Sequence, residues 1–93
     1  MAARPLGSVI EELIDRLGFR AGVDEARAVE AWPAVAGATI ASVTERAWMR
    51  GGKLFVKVDS APWRHTLHLQ REAWRDRVNH QLGRAVVSEI VFC

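Results

Sequence analysis

Cysteine occurs once in this 93-residue chain, at Cys93. A lone thiol excludes an internal disulfide framework and fits a reducing, cytoplasmic setting. No second ligand lies near it in sequence, so a metal site there is not expected. Long apolar runs are missing too, and none approaches the ~18 residues of a membrane span. Glu11, Glu12 and Asp15 interrupt the first apolar stretch, so no secretory leader is expected. Repeats, low-complexity tracts and linkers are absent. Charge of one sign is scarce: 13 Lys and Arg stand against 11 Asp and Glu, a net of +2. Any contact with nucleic acid must rest on where the cations lie, not on their sum.

Catalytic groupings are equally hard to find. His65 and His68 are spaced i, i+3, but no third ligand continues that face. No Cys–His or Ser–His–Asp set assembles. Gly51-Gly52-Lys53 lacks the strand–loop–helix context of a phosphate loop. An enzyme is therefore not expected, and neither is a cofactor or a metal. What is present is ordinary globular composition, 49% hydrophobic and 26% charged. Residues 1–93 make one domain, with room for a real core but not for a large enclosed cavity.

Periodicity gives the elements. Ser8 suits a helix N-cap, and Val9, Ile10, Leu13, Ile14 and Leu17 follow as one apolar stripe. Gly18 and Gly22 bracket a turn, and Asp24 starts a second helix whose apolar positions are Ala26, Val29 and Trp32. Pro33 should kink or restart that helix, and Gly37 should break it. A short helical piece over 38–43 carries Ile40 inward.

From Thr44 the period becomes two, with Ala47 and Met49 on one face and Arg46, Trp48 and Arg50 on the other. Gly51-Gly52 makes a hairpin turn into Leu54, Val56 and Val58, which alternate with Phe55 and Lys57. Ser60 caps a long third helix with Pro62 in its first turn. Trp63, Leu67, Trp74 and Val78 form its apolar stripe, and Gly83 stops it. Val86 to Phe92 is a last strand, with Val87 and Val91 on the Phe55 side. The expected fold is α+β in the order α-α-β-β-α-β, a three-stranded mixed sheet with helices on one face. The strand order stays open.

Two surfaces stand out. The sheet face turned from the helices combines Arg46, Trp48, Arg50, Phe55 and Lys57. Bases can stack on Trp48 and Phe55 while the cations neutralise phosphates. The same composition suits a protein partner or self-association as a homodimer, or a terminal segment covering the aromatics. On the third helix, Arg64, His68, Arg71 and Arg75 form a basic stripe. It either follows a phosphate backbone or is a solvated face paired with Glu72, Asp76 or the acidic first helix.

An ordered set of landmarks carries a resemblance. They are Trp32-Pro33 with Val35, Gly37, Ile40, Ala41 and Thr44; the run from Gly51 to Ser60; Trp63 and Leu67; Asn79, Leu82 and Gly83; and Ile90 and Phe92. Over roughly Val29 to Phe92 they resemble the DciA family, once called domain of unknown function 721. The resemblance implies a K-homology-like fold and a non-enzymatic DNA-replication accessory protein. It implies contact with the hexameric helicase DnaB, and help in placing DnaB on single-stranded DNA through weak electrostatic contact. Trp32 and Trp63 match the family's tryptophans and are expected to act as scaffold first and partner contact second. Many members attach a basic or disordered extension. This sequence has almost nothing before Pro5 and nothing after Cys93, so the domain surface is expected to act alone, to self-associate or to serve another task. The alternative is a general RNA- or DNA-binding module of K-homology-like fold, although no GxxG clamp can be placed.

Overall fold

A computed structural model describes residues 5–93. The elements are α1 (Leu6–Arg16), α2 (Arg20–Ala36), α3 (Ala38–Val43), β1 (Thr44–Arg50), β2 (Lys53–Val58), α4 (Ala61–Leu69), α5 (Arg71–Leu82) and β3 (Glu89–Phe92). The three strands form one mixed sheet in the order β1-β2-β3. β1 and β2 are antiparallel, with Trp48 opposite Phe55 and Met49 opposite Leu54. β2 and β3 are parallel, with Phe55 beside Val91 and Leu54 beside Ile90. The expected α+β class and three-stranded mixed sheet are therefore present.

The hairpin follows from its turn. Gly51 and Gly52 both take positive φ, 58° and 78°, which a side chain would disfavour. Alternation then sorts the residues of β2. Leu54, Val56 and Val58 are buried under the helical layer, in which α2 packs on β1, α4 on β2 and β3, and α5 on β3, whereas Lys53 and Lys57 are exposed. Trp32, Trp74, Leu67, Val78, Ile90 and Phe92 complete the core. Trp32 has no exposed surface. Its ring meets Trp74 edge-on at 5.6 Å and Phe92 at 5.7 Å. Its indole N–H donates to Thr44 Oγ1 at 3.2 Å, and the Thr44 hydroxyl donates to the Ile40 carbonyl at 2.9 Å. Burial of the polar end is thus compensated.

Several local expectations change. The single long helix is two, because the backbone leaves helical geometry at Gln70. Ser60 does cap α4, accepting from the Trp63 N–H at 3.4 Å. Ser8 and Asp24 are not N-caps: Ser8 sits inside α1, which starts after Pro5, and Asp24 sits inside α2, which starts after Phe19. Asp24 is instead buried and paired with Arg84 at 3.4 Å and Arg20 at 3.9 Å. Gly22 belongs to α2, and the turn is confined to 17–19. Ala28, not Ala26, enters the core. Helix α2 continues through Pro33, losing one donor, and breaks at Gly37, whose φ is 87°.

The last strand begins at Glu89, not Val86. Asn79 is the cause: its side chain grips the preceding segment. Oδ1 accepts from the N–H groups of Val86 (3.1 Å) and Val87 (2.8 Å), and Nδ2 donates to the Val87 carbonyl at 2.9 Å. That clamp turns Val87 into the core, off the open sheet face where its alternation had placed it.

Helix α1 also departs from the expected layer. None of its residues is buried, and it is held to α2 by charge. Arg20 Nε meets Asp15 Oδ1 at 2.6 Å, and Arg27 Nη2 meets Glu11 Oε1 at 2.5 Å. Arg20 binds the other Glu11 oxygen as well. These guanidiniums, Arg27 first and then Arg20, hold the Glu11 carboxyl down from 4.5 to about 2.

Two outcomes follow from these contacts. Asn79→Ala strands the Val87 N–H and carbonyl, while the Val86 N–H keeps the Arg84 carbonyl at 3.0 Å. It should lower stability by about 2–4 kcal/mol, read as a fall in the urea midpoint at unchanged slope. Because folding lowers the Glu11 pKa, its link to α2 operates above pH 4.5 and is lost as pH falls towards about 2. Carbon-detected NMR titration should give that low midpoint, and Arg27→Ala should move it back towards 4.5.

Candidate interaction surface

The sheet face opposite the helices is open across all three strands. A bulge near Glu45 resets the register, so that Thr44 pairs with Val58 but Arg46 pairs with Lys57. From there alternation sends Arg46, Trp48 and Arg50 outward from β1, and Lys53, Phe55 and Lys57 outward from β2. Val91 lies beside Phe55 on β3. Trp48 and Phe55 stack with ring centroids 5.5 Å apart and planes 8° from parallel. This is a cross-strand aromatic pair, and each ring shields part of the other, leaving both half-buried. The Arg46 guanidinium lies over Trp48, 4.8 Å from the ring centroid.

The cations are partly answered on the same face. Lys57 Nζ is 3.4 Å from Glu45, and Lys53 Nζ is 3.4 Å from Glu89. Such exposed pairs are weak and yield readily to a competing partner. Lys53, Glu45 and Glu89 are not among the residues that the sequence pattern assigns to a functional face. Period two points to Lys53, whereas Glu45 needs the bulge and Glu89 needs the β2–β3 register. The face is an aromatic ledge with mixed charge and a cationic excess. Trp48 also borders a groove of about 470 Å³ between the β1 edge and α2, lined by Ala26, Val29, Ala47 and Met49 among others.

The expected basic stripe does not form one surface. The break at Gln70 divides it between α4 and α5. Half-buried Arg64 donates to the Val58 carbonyl at 3.1 Å, bracing the end of β2. Arg71 donates to the His68 carbonyl at 3.1 Å, and Arg75 pairs with Asp76 at 3.0 Å. Arg71 and Arg75 do share a shallow cleft of about 250 Å³ with Glu72, Ser88, Glu89 and Ile90. Glu11 and Asp15 of α1 pair with Arg20 and Arg27 instead. Trp32 is wholly internal, so the reading of it as a partner contact is withdrawn. Trp63 is half-buried against the core. His65 and His68 are exposed, and among the described residues no three His, Cys, Asp or Glu groups come together as a metal site. No described helix is long and apolar enough to cross a membrane.

Fold and surface together define a small α+β domain whose sheet carries an aromatic and cationic face that no other described element covers. The family model described as Dna[CI] antecedent, DciA, matches residues 5–92, and the chain belongs to the DciA family. The family is associated with the replicative helicase DnaB, as an accessory family and not an enzyme class. A search of curated proteins finds no significant match.

The aromatic stack has a measurable signature. A double-mutant cycle with Trp48→Ala and Phe55→Ala should return a coupling of about 0.5–1.5 kcal/mol, while each single variant stays folded because the core lies on the other face.

Proposed function

We propose that this protein binds the replicative helicase DnaB through the open sheet face and assists its placement on single-stranded DNA. The observation that carries this reading is the uncovered Trp48–Phe55 stack, flanked by Arg46, Arg50 and Lys57, on a domain of a helicase-associated family. Stacked aromatics beside arginine are the composition of interface hot spots. Two rings already packed on one another lose little side-chain freedom when a partner covers them. Binding that favours a loading-competent helicase state needs no catalysis by this chain. Trp63 supports the fold and offers a half-buried edge as a secondary contact.

DNA contact is electrostatic and weak. Arg46, Arg50 and Lys57 face it from the sheet, and Arg71 and Arg75 from the cleft beside β3, with Arg64 held against the strand end. The two arginines of that cleft, set among Glu72 and Glu89, favour a second reading, a nucleic-acid module independent of the helicase.

Salt and mutation separate the readings. With purified cognate DnaB, Trp48→Ala/Phe55→Ala should reduce capture by more than about tenfold and abolish stimulation of loading on a forked DNA, with modest salt dependence. Nucleic-acid binding should fall steeply with salt, and Arg71→Ala/Arg75→Ala should flatten that slope by up to about two. No capture of DnaB by the unaltered protein, together with intact salt-sensitive DNA or RNA binding, would establish the second reading instead.

A further inference from the structure

Among the described residues, helix α1 carries an unpartnered apolar face. Leu6 is 76% exposed, Leu17 55%, Leu13 50%, Ile10 47% and Val9 44%. At ~100° per residue, Leu6, Ile10, Leu13 and Leu17 fall within about 60° of one another. Glu11 and Asp15 lie on the far side, where Arg20 and Arg27 hold them. The ion pairs therefore fix α1 with its apolar stripe turned to solvent. A contiguous apolar stripe of this kind on a folded domain marks an interaction site.

The pattern on that stripe is a palindrome. Leu6 and Leu17, Val9 and Ile14, and Ile10 and Leu13 are placed symmetrically about the point between Glu11 and Glu12. A reversed copy of α1 thus sets leucine on leucine at the ends and branched residues against one another within. That is the self-complementarity a two-fold axis requires. Charge agrees with it. Glu12 pairs with Arg16 of its own helix at 3.9 Å along one flank. The reversed copy places a second Arg16 roughly 7–8 Å away along the axis, on the same flank, so each Glu12 lies between two guanidiniums. The central Glu11 carboxylates are already answered by Arg20 and Arg27.

We infer that α1 pairs antiparallel with α1 of a second copy of this chain, forming a two-fold dimer. The helix has 11 residues and is about 16 Å long, so the interface falls below the ~800 Å² per partner of a standard complex. The dimer is accordingly weak and concentration-dependent, and it leaves the sheet face free. It does not rest on the helicase reading.

Sedimentation equilibrium from roughly 10 μM to 1 mM should show a monomer–dimer transition. Leu13→Glu should weaken it by more than about tenfold while leaving the thermal midpoint of dilute, monomeric protein unchanged, since α1 contributes nothing to the core. In a Cys93→Ser background, mixed Leu6→Cys and Leu17→Cys proteins should form the mixed disulfide in preference to either homodisulfide. Monomer at every concentration, association indifferent to Leu13→Glu, or preferential homodisulfides would each overturn the antiparallel dimer. Monomeric protein whose Leu13→Glu variant loses DnaB would overturn it too, and assign the stripe to the helicase.

Discussion

A buried indole organises this small fold. Trp32 can lose all contact with water only if its N–H finds an acceptor and its ring finds neighbours on every side. The acceptor is the Thr44 hydroxyl, at the junction of α3 and β1, which in turn answers the Ile40 carbonyl. The neighbours are Trp74 on α5 and Phe92 on β3. One side chain therefore ties the helical layer to both ends of the chain's path through the sheet. The family landmarks Trp32, Ile40, Thr44 and Phe92 belong to this one assembly, and Asn79 and Gly83 close α5 and direct the chain into β3. These are scaffold residues, and they position a surface without forming it.

The surface comes from the other half of the same alternation. Each inward aliphatic of the hairpin obliges an outward neighbour, and those neighbours are Trp48, Phe55 and a set of cations. Stacking lowers the cost of leaving two aromatics in water and makes them rigid. The half-answered lysines and arginines beside them suit transient contact with a charged macromolecule. On the proposed reading such a domain binds and orients, and nucleotide chemistry is left to the helicase.

Helix α1 obeys a different constraint. It is attached by carboxylate–guanidinium pairs and not by burial, so its apolar stripe is unspent. Charge fixes its direction, and the symmetry of its leucines suits a copy of itself. The domain thus carries two surfaces of different origin, a sheet face set by alternation and a helix held by charge.

Much of this was legible as local pattern. Period two over 44–58, the paired glycines at 51 and 52 and the Ser60 cap are decided within a few residues, so they could be read directly, and with them the outward Trp48 and Phe55. The structure departs from local preference where a partner outside the local window intervenes and at one break in a helix. Asp24 is drawn into α2 by Arg84, 60 positions away. Val87 is turned inward by Asn79, and the basic stripe of Arg64, Arg71 and Arg75 is split by the break at Gln70. Within the hairpin, alternation established that Arg46, Trp48, Arg50, Phe55 and Lys57 share a face, because strand geometry is intrinsic to the chain. The strand order, the burial of Trp32 and the exposure of α1 were set only when remote segments met, since burial and ion pairing depend on neighbours that no local window contains.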